Sequence, residues 1–337
     1  MKTKIIFTIM CIACLHQLAA QSKIAEDIKS PGDVKVLLDF PKEGRNTKNG
    51  KGFSANIGLL PNGIKRVGLV SFFAFDPGVT KTWSHTSSSG LTTTTTTSIK
   101  KRSTAGLAPE IAYGAIVTAL DPMIAKFKEF GIDLIMPNQF LDTDEKKNFY
   151  NSFDVKHEKF ADWLDNMGSG NHDIMYGYPE PFKVIDIVGE PYGNYTKKGM
   201  IISRGGKISD NQIFLFDKDT KLTESIGYNL CNKLGLDAVI VTYMTIFMPS
   251  NSKIQLQNVR MVMFGPNPVM PEGESKHGAI PHVKGLFYVG VSANPEDVIY
   301  NQNKKDPESS KLNFKGFDHI YVALTQKMGE YIKESKE

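Results

Sequence analysis

The chain has 337 residues, enough for one large domain or two ordinary ones around a sizeable core. Hydrophobic residues at 41%, aromatics at 10% and charged residues at 23% exclude global disorder, collagen and coiled-coil arrays. Forty basic against 36 acidic residues leave only +4 spread along the chain, which excludes an electrostatic footprint for nucleic acid.

Residues 1–20 read as a signal peptide. Lys2 and Lys4 precede the apolar run Ile5 to Leu15, and Ala19-Ala20 supply the small residues before Gln21. The run is shorter than the roughly 20 apolar residues a membrane-spanning helix needs, and no other stretch approaches that length. Cleavage after Ala20 leaves 38 basic against 36 acidic residues, a net +2. It also leaves Cys231 alone, so no intramolecular disulfide framework is available and the fold must rest on its core. Ile12-Ala13-Cys14 offers a second reading as the end of a bacterial lipobox, with Cys14 acylated and the protein peripherally attached to a membrane. Cys11 stands where that pattern wants Leu.

Residues 21–63 form a polar arm rich in Lys, Gly, Asn and Pro, with Val34 to Phe40 as a candidate strand. Arg66 to Phe75 is a continuous apolar run closed by Asp76-Pro77-Gly78, which predicts a strand buried on both faces and the centre of a sheet. Thr80 to Thr104 is a Ser/Thr tract with six consecutive threonines; it predicts a solvated β-hairpin with its tip near Gly90, or an unstructured loop. Trp83 and Leu91 are nearly its only apolar side chains, so insertion of this stretch into a membrane is rejected.

Pro109 and Glu110 open a helix whose apolar residues recur from Ile111 to Phe127, and Gly131 closes it. Ile132 to Pro137 is a short strand, after which Asp142 or Thr143 caps a more polar helical region. Phe182 to Val188 and Gly199 to Ile202 read as strands inside a second insertion, 168–217. Thr220 to Leu234 is a helix capped by Gly235. Leu236 to Phe247, the most hydrophobic strand, pairs with Lys253 to Met263 as a hairpin. Leu286 to Val291 adds a strand, Asn294 to Ser310 a polar loop, and Phe317 to Ile332 a closing helix. The expectation is a single α/β domain over 64–337: a mixed sheet flanked by helices, with the Thr-rich hairpin or loop as an insertion.

This order of elements resembles a group of bacterial envelope proteins: the amino-terminal domain of the Tol-Pal β-propeller protein, the penicillin-binding-protein activator lipoproteins and the periplasmic domain of the curli secretion lipoprotein. The likeness rests on the opening strand Arg66 to Phe72, a helix ending at Gly before a strand, and Ile226 to Val241, where Leu234-Gly235-Leu236-Asp237-Ala238 leads from helix into strand. It covers about residues 64–265, and Pro179 to Asp217 has no counterpart. The resemblance implies a packing solution in an exported envelope protein and brings no catalytic residues with it.

Chemistry-bearing motifs are sparse. No phosphate-cradling glycine loop, Gly-x-Ser-x-Gly elbow or His-Glu-x-x-His helix occurs, and Gly168-Ser169-Gly170 reads as a loop. Glu272, Glu274, His277 and His282 form a metal-like cluster in a Pro/Gly-bounded loop, against the simpler reading of solvated side chains. His172 with Asp173 and Asp186 is the acid–base candidate if the fold brings them together, without an identifiable nucleophile. Tyr176, Tyr178, Tyr192 and Tyr195 crowd the middle loops as a surface for a protein or glycan, or as a local packing cluster. Cys231 sits on the apolar stripe of its helix as a small buried hydrophobe. No cofactor is expected. The functional expectation is an exported, periplasmic, outer-membrane-associated or secreted noncatalytic protein that binds an envelope protein or glycan as an accessory of cell-wall or secretion machinery. The alternative is an exported hydrolase acting on glycan or peptide.

Overall fold

The computed structural model describes residues 28–39, 63–76, 78–89, 92–104, 106–155, 175–187, 193–197, 200–204, 224–250, 252–266, 287–295, 298–301 and 311–334. Among the described residues twelve strands divide between two sheets. The larger has the order β1 (Val36–Asp39), β11 (Phe287–Ala293), β10 (Lys253–Gly265), β9 (Ala238–Ser250), β2 (Arg66–Asp76), β5 (Asp133–Ile135). Two short strands pair beside this path, β12 (Val298–Asn301) on β10 and β6 (Met175–Gly177) on β2. β2 runs parallel to β5 and β9, while β9, β10, β11 and β1 continue antiparallel, so the sheet is mixed as expected.

β2 owes its central place to composition: every residue from Val67 to Asp76 is buried. The pairing with β9 shifts register between Leu69 and Ser71, and this bulge reassigns faces. Val67, Leu69, Phe72 and Ala74 join one core; Val70, Phe73 and Phe75 join the other. The first core is covered by α1 (Ala108–Glu129) and α5 (Phe317–Glu334), through Ile111, Ala115, Ala119, Met123 and Phe127 on one helix and Ile320, Leu324 and Met328 on the other. The second is covered by α2 (Pro137–Phe140), α3 (Asp144–Ser152), and a π-helical stretch, Glu224–Leu230, that runs into α4 (Cys231–Leu234). Helices therefore lie on both faces of the sheet.

Local stops follow the residue chemistry. Gly131 and Gly235 adopt φ of 72° and 68° after α1 and α4, a left-handed conformation that side chains resist. Thr143 Oγ1 accepts from the Lys146 amide at 3.2 Å and starts α3. The Asp237 carboxylate accepts from the Lys65 and Arg66 amides at 2.9 and 2.8 Å, which aligns the beginnings of β2 and β9.

Three expectations change. Residues 182–187 join no strand, because their backbone bonds to side chains: Ser71 Oγ donates to Lys183 O at 2.6 Å and accepts from the Ile185 amide at 3.0 Å. The expected regular helix ending at Leu234 is π-helical over seven residues. The polar loop after Asn294 contains β12, which borders β10, and Tyr300 bridges to Leu312.

Candidate functional site

The second sheet has four strands in the order β4 (Thr92–Arg102), β3 (Val79–Ser89), β8 (Met200–Arg204), β7 (Gly193–Lys197). It is made of two antiparallel hairpins far apart in sequence, joined by pairing of Val79–Trp83 with Met200–Arg204. The Thr-rich tract is thus a hairpin, with β3 and β4 in unbroken register from Val79–Arg102 to Ser89–Thr92. The six consecutive threonines, Thr92 to Thr97, suit the pleat, since their branched Cβ favours extended backbone.

The hairpin grows directly out of the core. β2 ends at Asp76, the chain turns through Gly78 at φ 68°, and β3 begins at the next residue. Asp76 is fully buried and fastens both roots: Oδ1 accepts from the Gly78 amide at 2.8 Å and Oδ2 from the Thr104 amide at 2.6 Å. Burial raises its carboxyl above the ordinary carboxylate range, against the pull of those two donors.

Beyond the root, Ser84–Ser89 and Thr93–Thr97 are exposed. On one face three hydroxyl pairs bridge the strands: Ser84 with Thr97 at 3.0 Å, Thr86 with Thr95 at 3.1 Å and Ser88 with Thr93 at 3.3 Å. These pairs stiffen the hairpin without needing an apolar layer beneath it. Among the described residues β4 and β7 each have a neighbour on one side only, so each presents a row of backbone donors and acceptors to a further strand.

The residues singled out from sequence fare differently. Cys14, His172, Asp173, Tyr192, Glu272, Glu274, His277 and His282 lie outside the described residues. Tyr195 belongs to β7, inside the second sheet. Tyr176, on β6, packs its ring against Phe73 and Phe75 with centroids 5.8 and 5.6 Å away, and its hydroxyl donates to Asp186 Oδ2 at 2.7 Å. It serves packing, whereas Tyr178, 46% exposed, remains at the surface. Among the described residues no group of three or more His, Cys, Asp or Glu is placed to hold a metal ion.

Tyr150, Lys183 and Cys231 hold parts of the fold together. Tyr150 donates its hydroxyl to Val70 O at 2.6 Å and accepts from the Lys183 amide at 3.3 Å, so it ties α3 to β2 and to the 182–187 segment. The Lys183 ammonium donates to Tyr150 O, Asn151 O and Phe153 O at the end of α3, where a cation meets the free carbonyls and the negative helix end; burial lowers its pKa. Cys231 is fully buried, its thiol donates to Phe264 O at 3.7 Å, and burial pushes its pKa up. A buried thiol held in this way is inert.

Sequence reasoning left the first hairpin open against an unstructured loop and missed the second. Its signal is present: Lys198-Gly199 separates the β-favouring Tyr195-Thr196 from Met200-Ile201-Ile202, a two-residue turn between two strand-forming runs. What the described geometry offers is a two-edged sheet that continues from the core strand β2, an arrangement suited to adding strands. Comparison of the chain with protein-family models, curated proteins and solved structures yields no match in any of the three.

Proposed function

We propose that this chain is an exported, noncatalytic cell-envelope protein that binds a protein partner, as an accessory of cell-wall or secretion machinery. The observation that carries the reading is the four-stranded sheet with both outer strands open among the described residues. An exposed strand edge is a template for another strand, and a protein that keeps two of them on a fixed platform uses them for association. The apolar run Ile5 to Leu15 behind Lys2 and Lys4 supports export. The hydrolase alternative rests on His172, Asp173 and the Glu272–His282 loop, none of which is among the described residues.

Strand direction favours a second copy of the chain as one such partner. Each neighbouring pair in the sheet is antiparallel, and four is an even number, so β4 and β7 run in opposite directions. β7 of one copy added to β4 of the next therefore continues the antiparallel pattern, keeps every α/β body at the same end, and repeats. The five residues of β7 limit each such joint to a short ladder.

A photo-crosslinking residue at Thr94 on β4 and, separately, at Asn194 on β7, introduced in the native cells, tests this. Adducts to protein are expected at both edges, with a mass of two chains where a copy is the partner. Adducts absent from both edges but formed from Tyr178 would refute the reading.

A further inference from the structure

We propose that the outer half of the β3–β4 hairpin docks beside the same hairpin of a second copy of the chain, so that two copies interlock tip to tip. β8 pairs with β3 only from Val79 to Trp83, whereas β3 and β4 stay paired as far as Ser89 and Thr92. Beyond Trp83 the four-stranded sheet narrows to a two-stranded ribbon. Residues 84–89 of β3 have no neighbour on the β8 side among the described residues. Beside them lies a notch six rows deep and two strands wide, above Met200 and Lys197 where β8 and β7 meet. By strand geometry it measures about 20 by 10 Å.

The border of this notch is unguarded. Edge strands are usually blunted by charge, proline or a bulge, and residues 84–89 contain no Lys, Arg, Asp, Glu or Pro and keep an unbroken register with β4. Apart from His85, the exposed side chains of 84–89 and 93–97 are all hydroxyls. A two-stranded ribbon with no apolar face is marginal in water, and further strands are what stabilise one.

Backbone direction fixes the joint. Ser89 and Thr92 are separated by two residues, and a pair flanking such a loop exchanges both backbone bonds. Bonded rows recur at Ser87 with Thr94 and His85 with Thr96, so the N–H and C=O of Ser84, Thr86 and Ser88 point into the notch. The hydroxyl pairs agree, since Ser84–Thr97, Thr86–Thr95 and Ser88–Thr93 are then the unbonded rows, where side chains come closest.

What fits a gap of this width and depth is a second such ribbon. A copy turned about a twofold axis perpendicular to the sheet brings its β3 antiparallel to the first. Opposed residues must share a face, so the register joins odd to odd and even to even. The deepest register that clears β8 sets Thr86 opposite Ser88, Ser87 opposite Ser87 and Ser88 opposite Thr86. In the next one the partner copy's tip would reach the Trp83 row, which β8 already occupies. Thr86 and Ser88 then exchange both backbone bonds with each other across the joint, twice over. The inference leaves the β4 and β7 edges free, so it does not rest on strand addition there.

The test is disulfide trapping. Ser87 sits at the twofold axis in an unbonded row, with Cα atoms about 4.5 Å apart, a separation that a disulfide spans. In the full chain with Cys11→Ser and Cys14→Ser, where Cys231 is buried, Ser87→Cys is expected to give a disulfide-linked dimer on mild oxidation. Thr94→Cys, opposite Ser87 on β4, is expected to stay unlinked, because three strand gaps, about 14 Å, separate it from its copy. Thr86→Pro removes an N–H facing the notch and keeps the β3–β4 bonds. In sedimentation equilibrium it should weaken the dimer about 25-fold, a factor of about five for each of the two bonds lost. Failure of Ser87→Cys to link, equal linking by Thr94→Cys, an unchanged dimer in Thr86→Pro, or capture of a different protein by Ser87→Cys in the native cells would each overturn the proposal. Linking through Ser87→Cys without photo-adducts at Thr94 or Asn194 would overturn the proposed function and leave this inference standing.

Discussion

Replacing Asp76 tests whether the outer sheet is held by its root. The carboxylate is the acceptor for two buried amides, Gly78 and Thr104, and these bracket the whole β3–β4 hairpin. Asp76→Ala strands both. A buried donor without a partner costs about 1–3 kcal/mol, and release of a desolvated carboxylate returns part of that sum, which sets the net loss at about 3 kcal/mol. Asp76→Asn keeps one acceptor and turns an amide NH2 toward the other N–H, so its loss is about half as large. Native-state hydrogen exchange of the Val79–Trp83 amides reads the effect locally: an opening made about 3 kcal/mol easier speeds exchange about a hundredfold. The β9–β10 amides, deep in the main sheet, should change less. If exchange at the root of β3 in Asp76→Ala stays within about threefold of the parent, the carboxylate is not the fastening and the reasoning fails.

The same group gives a pH signature. Its folded pKa is raised, so it binds its proton in the folded state at pH values where the unfolded chain has released it; its contribution is full below the unfolded value near 3.8 and declines as pH rises through the raised value. The stability advantage of the parent over Asp76→Asn, from urea midpoints, should therefore shrink on going from pH 3.5 toward neutrality. At Gly177 an added methyl would collide with the Ala108 carbonyl group and the Pro109 nitrogen, so Gly177→Ala should lower Tm by several degrees, corresponding to about 1–3 kcal/mol of overpacking. Cys231 should escape alkylation in the native protein and react once urea unfolds it, as mass spectrometry of its peptide would record. Along β4 successive amides alternate sides, so of Thr94→Pro and Thr95→Pro one should open the β3 ladder, seen as faster exchange, while the other leaves it intact and removes partner adducts from the β4 edge.

Much of the architecture is legible in local patterns. Arg66 to Phe75 announces a doubly buried strand because it lacks polar alternation, and Gly131 and Gly235 mark helix ends where the chain needs positive φ. The misread segments are those whose partners are remote or irregular. Residues 182–187 look like a strand, yet Ser71 and Tyr150, 112 and 33 residues away from Lys183, take up their backbone groups. β12 is four residues long at the border of β10 and is hidden among polar neighbours. Of the candidate surface, the Thr-rich hairpin is one of two readings that β propensity and Ser-Gly turn chemistry leave open, and its pairing decides between them. Its union with β8 joins Val79 to Arg204, and no local periodicity encodes a contact between such distant positions. The bulge after Leu69 likewise alters which residues share a face, so alternation read straight through β2 misassigns its second half.

The continuity of β2 with β3 has a mechanical consequence. A load applied along β3 enters the body as tension along the axis of β2, which is buried from Val67 to Asp76. Lengthwise, β2 resists through its ladders with β5 and β9 on either side, all of which must shear together; a strand at the border would instead peel away one bond at a time. The platform is thus rooted where the fold bears traction best, and a pulled sheet should yield at its own hairpins before it draws β2 from the core.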